Sequence, residues 1–237
     1  MGRNNYFQFK QFLVLQEKAA MKVGTDGVLL GAWVEVQNER KILDIGAGTG
    51  VIALMMAQRT AARITGVELE KLAAKEATQN CLNSPWPERL TIENCSFQEF
   101  AEKSAEHFDL IISNPPFFVN DKKSANDNLA VAKHSHLLPF DDLLNGTSKL
   151  LHPGGRLAVI LPVIQAKQFI EKAQYMGIHL TSLTEVKPTP HKETNRYLME
   201  FSKTKTALKT NSLSIFDNPG QFSKPYKQLT QNFYLNF

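Results

Sequence analysis

Two short runs in this 237-residue chain hold residues whose types and spacing can do chemistry: Asp44-Ile45-Gly46-Ala47-Gly48-Thr49-Gly50 and Asn114-Pro115-Pro116-Phe117. In the first, glycine lets the backbone turn sharply and approach a nucleotide beside a helix N-terminus, which assigns Gly46 and Gly48 to ligand contact. Glu68 follows Gly48 by twenty residues at the end of the next apolar run, where a carboxylate can accept from both ribose hydroxyls. That spacing signals an adenosine cofactor without saying which. Asp44 breaks the tie, because a carboxylate ahead of the glycines repels a dinucleotide pyrophosphate and suits the cationic amino-acid end of S-adenosylmethionine.

The second run carries a reaction type. An adenine or guanine amino nitrogen is a poor nucleophile because its lone pair is delocalised into the ring. The Asn114 side-chain oxygen and the Pro115 carbonyl can accept its two N–H hydrogens and aim the lone pair at an electrophilic methyl group, with no strong base required. Pro115 and Pro116 hold those acceptors rigidly, and Phe117 offers a flat face on which an extruded base can stack. Read as structure alone, the same four residues form a rigid strand-to-loop exit; following the glycine run and Glu68 in this order, they favour chemistry.

Further contacts are expected around these runs. Ser96 and Phe97, after the third apolar run, would supply a polar contact and an apolar wall to the adenine, since no acid stands there until Glu99; Phe97 reads equally well as core. In the long polar segment after Phe117, Lys122, Lys123 and Lys133 are candidates for phosphate contact. His134 and His136 lack a third ligand cluster, and methyl transfer needs no metal, so no metal is expected.

The elements that must position these residues follow from residue 41 onward. Runs at 41–46, 63–68, 89–94, 108–113 and 155–161 read as buried parallel strands, with helices expected at 50–60, 70–82, 138–151 and 163–175. IHLTSLTEV and RYLMEFSK then read as an antiparallel pair, because the segment KPTPHKETN is too short for a helical crossover. That hairpin would lie at the same end of the sheet as Asn114, which makes Lys187, Lys192 and Arg196 candidate substrate contacts. The result is an α/β fold with a seven-stranded, mostly parallel sheet, helices on both faces and an antiparallel last strand. One domain over 1–237 is expected, with a catalytic core at 37–202, an N-terminal extension at 1–36 and a C-terminal extension at 203–237. In the N-terminal extension, FQFKQFLVLQ alternates like one strand, and Thr25 or Asp26 would cap a short helix.

Composition bounds the setting. Apolar runs such as Leu157–Leu161 are too short to span a bilayer, no secretory signal is visible, and two cysteines make neither a zinc site nor a disulfide framework; the cytoplasm is the default. The net charge of +4 divides into +3 over residues 1–24, +5 over 187–237 and −4 between them. Basic ends around an acidic middle suggest that the ends meet a polyanion, although lysines kept for solubility would give a similar count.

The N-terminal FxFKQFxVxQ and the segment AMKVGTDGVLLGAW (Ala20 to Trp33), together with DIGAGTG, VELE and NPPF, resemble the bacterial tRNA adenine-N6 methyltransferases. Those enzymes modify the adenosine beside the anticodon, adenosine-37, of a valine tRNA. The resemblance covers nearly the whole chain; NRYLMEF and LTQNFYLNF match the family's C-terminal part. It implies a class I Rossmann-like methyltransferase fold, S-adenosylmethionine as cofactor and tRNA as partner. It also implies that Lys22, Thr25 and Asp26 lie near the methionine end of the cofactor or the substrate entrance. The chain departs from the pattern in lacking an acid after the third strand and in the lysine-rich segment after NPPF. Alternatives are methylation of a guanine N2 in ribosomal RNA or of a protein glutamine, a module that only senses S-adenosylmethionine, and an oxidoreductase; intact Asn114 and both prolines argue against the last two.

Overall fold

The computed structural model describes residues 4–116, 138–218 and 220–236. The alternating N-terminal run is not one strand but a hairpin, β1 (Tyr6–Gln8) paired antiparallel with β2 (Leu13–Leu15), with the Phe9 N–H bonded to the Phe12 carbonyl at the turn. Helix α1 (Thr25–Trp33) follows. Its N-cap is Gly24, with no side-chain cap bond, so neither Thr25 nor Asp26 caps it.

The βα series then runs β3 (Lys41–Ile45), α2 (Val51–Arg59), β4 (Arg63–Val67), α3 (Lys71–Leu82) and β5 (Leu90–Glu93). It continues through α4 (Phe97–Lys103), β6 (Phe108–Ser113), α5 (Phe140–Leu150), β7 (Leu151–Pro162), α6 (Val163–Tyr175), β8 (His179–Lys187) and β9 (Arg196–Ser202). The C-terminal segment adds β10 (Lys209–Ser214), a small hairpin of β11 (Phe216–Asn218) and β12 (Gln221–Phe222), and α7 (Lys224–Thr230).

Among the described residues the main sheet has eight strands in the order β5-β4-β3-β6-β7-β9-β8-β10, one more than the seven expected. Strand β9 runs antiparallel to β7 and β8, as the short connection required. The added strand is β10, which lies parallel to β8 on the sheet edge. Its sequence, KTNSLS, buries only Leu213, so it has no apolar alternation to announce it.

Side-chain alternation along the central strands divides the core. Ile42, Leu110, Ile112, Ala158 and Ile160 face α1, α2 and the N- and C-terminal segments. Leu43, Ile45, Ile111, Leu157 and Val159 face α4, α5 and α6. A strand buried on both faces reads as a continuous apolar run, which is the pattern these segments carry. The chain leaves β3 toward β4 and β5, then returns to the other side of β3 as β6. The strand order therefore reverses between β3 and β6, the crevice where open α/β sheets bind ligands.

Candidate active site

The two chemical runs meet at this crevice. Ile45, the last residue of β3, is paired with Ser113, the last residue of β6, and the Ser113 hydroxyl donates to the Ile45 carbonyl at 2.9 Å. Sheet register thus places the glycine run and Asn114 side by side beyond the same edge.

Gly46, Gly48 and Gly50 all have positive φ, at 72°, 56° and 78°. A Cβ on Gly46 would meet nothing within 4 Å, so these left-handed turns present bare backbone to open space. Gly50 is different: it is the N-cap of α2, and a Cβ there would press on Ala77 of α3. The Glu68 carboxylate braces the run, with one oxygen accepting from the Gly48 N–H at 2.8 Å and the other from the Glu70 N–H at 2.8 Å. Each oxygen keeps a lone pair for a ribose hydroxyl.

Asp44 is fully buried. Its Oδ2 accepts from the Ala53 N–H at 3.1 Å, while its Oδ1 has no hydrogen-bond partner among the described residues. Burial pushes its carboxyl up to about 7; the Ala53 bond opposes this and the Glu68 charge adds to it. The nearby Cys81 thiol is pushed up to about 12, mainly by burial and then by Asp44. A buried carboxyl with one unmatched oxygen fits a cationic donor such as an amino-acid ammonium group.

Asn114 shows the same kind of mismatch. Its Oδ1 is buried and unpartnered among the described residues. A Cβ on Gly27 of α1 would stand 3.9 Å from its Nδ2, so the start of α1 lies beside the side chain. Pro115 is buried and Pro116 exposed; Phe117 lies outside the described residues. Asp44 Oδ1 and Asn114 Oδ1 are thus both buried acceptors without a hydrogen-bond partner among the described residues, on neighbouring strands at the crevice.

The remaining expectations divide. Ser96 is the N-cap of α4, a helix not foreseen, in a reciprocal capping box with Glu99: the Glu99 N–H donates to the Ser96 hydroxyl at 3.1 Å, and the Glu99 carboxylate accepts from the Ser96 N–H at 3.2 Å. Phe97 is buried against Gly146 of α5, in the core. Of its two readings, packing is the one that this placement favours. The S-x-x-E spacing of Ser96 and Glu99 was the signal for the helix. Exposed Leu69, next to Glu68 and with its carbonyl held by Asn94, is an apolar group at this rim that sequence reasoning did not single out.

Asp26 and Arg196 are brought together, with Arg196 Nε donating to Asp26 Oδ2 at 2.8 Å across 170 residues. This ties the start of α1 to the start of β9. Thr25 is exposed beside them, and Lys22 donates to the Asn4 carbonyl at 3.0 Å. Because Arg196 is paired in register with Pro162, the connection after β8 lies at the Asn114 end of the sheet, as the topology required. Lys187 ends β8 and Lys192 is exposed in that connection. Lys122, Lys123, Lys133, His134 and His136 lie outside the described residues. Among the described residues, no three His, Cys, Asp or Glu side chains converge as metal ligands, and no helix is long and apolar enough to cross a membrane.

Comparison with known proteins agrees with this geometry. The methyltransferase small domain family matches residues 19–191. A tRNA1(Val) (adenine(37)-N6)-methyltransferase from Trichodesmium erythraeum is 45% identical over 236 residues, covering 98% of this chain and 99% of that protein. One of the same name from Flavobacterium psychrophilum is 43% identical over 231 residues, covering 97% and 99%. In fold, the chain is similar to the crystal structure of a predicted O-methyltransferase from Agrobacterium tumefaciens, with a TM-score of 0.69, 20% identity, and coverage of 88% and 96%. It is also similar to TrmN from Thermus thermophilus, with a TM-score of 0.55, 19% identity, and coverage of 75% and 48%. The chain belongs to the family of tRNA1(Val) (adenine(37)-N6)-methyltransferases, built on the methyltransferase small domain.

Proposed function

We propose that the protein transfers the methyl group of S-adenosylmethionine to N6 of adenosine 37 in a valine tRNA, the activity its relatives are named for. The observation that carries this reading is the pair of buried oxygens without a partner among the described residues, Asp44 Oδ1 and Asn114 Oδ1, on neighbouring strand ends of the crevice. When bound, the cofactor supplies an electrophilic methyl on a sulfonium centre.

The chain's own residues do the rest. Asp44 holds the ammonium of the cofactor's amino-acid end, Glu68 the ribose hydroxyls, and the backbone of Gly46 and Gly48 permits close approach. Asn114 Oδ1 and the Pro115 carbonyl accept the two hydrogens on N6. As the nitrogen becomes bonded to carbon it also becomes acidic, and the proton it sheds leaves through these acceptors to water, so no strong base is needed. A buried carbonyl without a donor costs about 1–3 kcal/mol in the free protein, and the adenine amino group relieves that cost as it binds. The protein thus stores its specificity for an N–H donor before substrate arrives. Lys187 and Lys192 lie where they can meet phosphate, and Lys122 and Lys123 extend that reading. A tRNA substrate implies work in the cytoplasm.

The test uses tRNA from cells lacking this gene, incubated with the purified protein and S-adenosylmethionine and then digested and mapped by mass spectrometry. N6-methyladenosine at position 37 of a valine tRNA is expected. Methylation of guanine N2, or of no nucleotide, would refute the reading.

A further inference from the structure

One buried amide outside the crevice joins the glycine run to the N-terminal hairpin. Asn80 of α3 is 1% exposed. Its Nδ2 donates to the Thr49 carbonyl of the glycine run at 2.9 Å and to the Leu15 carbonyl of β2 at 2.9 Å. Its Oδ1 accepts from the Leu15 N–H at 2.8 Å. One turn earlier on the same helix face, Glu76 accepts three backbone N–H groups of the chain that leaves β2: Glu17 and Lys18 at 2.8 Å, and Ala19 at 3.1 Å. The buried Gln16 side chain then closes that loop, its Oε1 accepting from the Val23 N–H at 2.9 Å. The next residue, Gly24, is the N-cap of α1, whose Gly27 abuts Asn114.

We infer that Asn80 is a positioning residue for methyl transfer, tying the glycine run to the N-terminal segment and, with Glu76, fixing where α1 begins beside Asn114. The inference rests on the proposed reading of the crevice as the methyl-transfer site. It assigns to α3 a task that none of its residues performs by touching a ligand. The start of α1 packs on Val51 and Ile52, just after the glycine run, as well as on Asn114, but among the described residues it shares no direct hydrogen bond with the glycine run. A side chain that donates to one and both donates to and accepts from the strand leading to the other makes their order conditional on each other. The fully matched hydrogen-bond set also explains why an amide, rather than an apolar side chain, sits in this core.

The test compares Asn80→Ala and Asn80→Asp with the intact full chain. Calorimetry measures affinity for S-adenosylhomocysteine, and hydrogen exchange read by mass spectrometry follows residues 15–24 and 46–50. Loss of the donors is expected to weaken binding by about tenfold or more, to raise the cofactor KM more than it lowers kcat, and to release exchange protection in both segments together. Asn80→Asp keeps the shape and the acceptor but loses both donors, so it should fare no better than Asn80→Ala. Glu76→Gln should loosen residues 17–19 while leaving 46–50 protected. As a control, Phe169→Leu in the opposite core should lose stability without changing affinity. If Asn80→Ala fails to fold, Asn80→Ser carries the same comparison. Wild-type affinity in Asn80→Asp, or loosening of one segment without the other in Asn80→Ala, would overturn the inference. The calorimetric and exchange readouts need no tRNA, so they stand apart from any failure to methylate adenosine 37.

Discussion

Asp44 gives the sharpest pH dependence. Its carboxyl sits at about 7 in the free protein, mainly because it is buried, and only the ionised form can pair with the cofactor's ammonium group. Lowering the pH from 7.5 to 5.5 carries this carboxyl from mostly ionised to mostly protonated, so affinity for S-adenosylhomocysteine should fall by roughly tenfold. An ordinary α-amino group, with a pKa of roughly 7.7–8.0, remains mostly protonated across this window, and an ordinary α-carboxyl stays ionised. Asp44→Asn should bind more weakly at pH 7.5, by about 1.5–3 kcal/mol for a lost charge-assisted bond, and should lose the pH slope. The sign for stability is opposite. Because the folded value lies above the ordinary aspartate value of 3.8, protonation of Asp44 stabilises the free fold as pH falls from about 7 toward 4. Above pH 7 the buried carboxylate costs up to about 4 kcal/mol. Asp44→Asn should therefore raise the melting temperature at pH 8, and the gain should shrink at pH 5.5. Calorimetric titrations and melting curves at both ends of the range decide it; an affinity that is flat with pH in the wild type, or an equal slope in Asp44→Asn, would refute the reasoning.

Glu68→Ala should weaken S-adenosylhomocysteine binding by about 1–3 kcal/mol, since it removes the ribose acceptor and the brace on Gly48 together; unchanged affinity by calorimetry would remove Glu68 from the site. NADH should show no binding in the same assay. Affinity for tRNA should fall steeply with salt, by a slope of about −0.7 to −0.9 per neutralised phosphate, while cofactor affinity hardly moves. Replacing Lys187, Lys192 and Arg196 together should flatten that slope. Because Arg196 is already paired with Asp26, the Lys187 and Lys192 double variant should account for most of the change; equal slopes in wild type and variants would make this connection a solvated turn. Gly146→Ala should destabilise the fold by about 1–3 kcal/mol in denaturant titration, because a Cβ there would collide with the Phe97 ring; a neutral result would mean that α5 shifts freely.

How much of this was legible in the sequence depends on the range of the interaction. The glycine run, Glu68 and Asn114 could be placed because each ends a buried strand, and parallel register carries strand ends to one edge. Where another reading occupied the same residues, an element was missed. Reading Ser96 and Phe97 for adenine contact passed over a seven-residue helix whose capping box was written at Ser96 and Glu99. Alternation through FQFKQFLVLQ continues across the turn near Phe9, so one strand and a hairpin look alike there. Strand β10 is held by backbone pairing along an edge and carries polar residues, which leave no periodic trace. The ion pair of Asp26 with Arg196 and the clasp of Asn80 on Leu15 and Thr49 span 170, 65 and 31 residues, and no local pattern encodes such partners.

The central claim is that Asn114 Oδ1 accepts a hydrogen from the reacting amino group. Single-turnover methylation of valine tRNA by Asn114→Ala, with cofactor and enzyme saturating, tests it most directly. The chemical rate should fall by about 10²–10³, as when a preorganised transition-state hydrogen bond is removed, while S-adenosylhomocysteine affinity stays within a few-fold. Asn114→Asp, which keeps an acceptor at that position, should retain more of the rate than Asn114→Ala. A near wild-type single-turnover rate in Asn114→Ala would contradict the account.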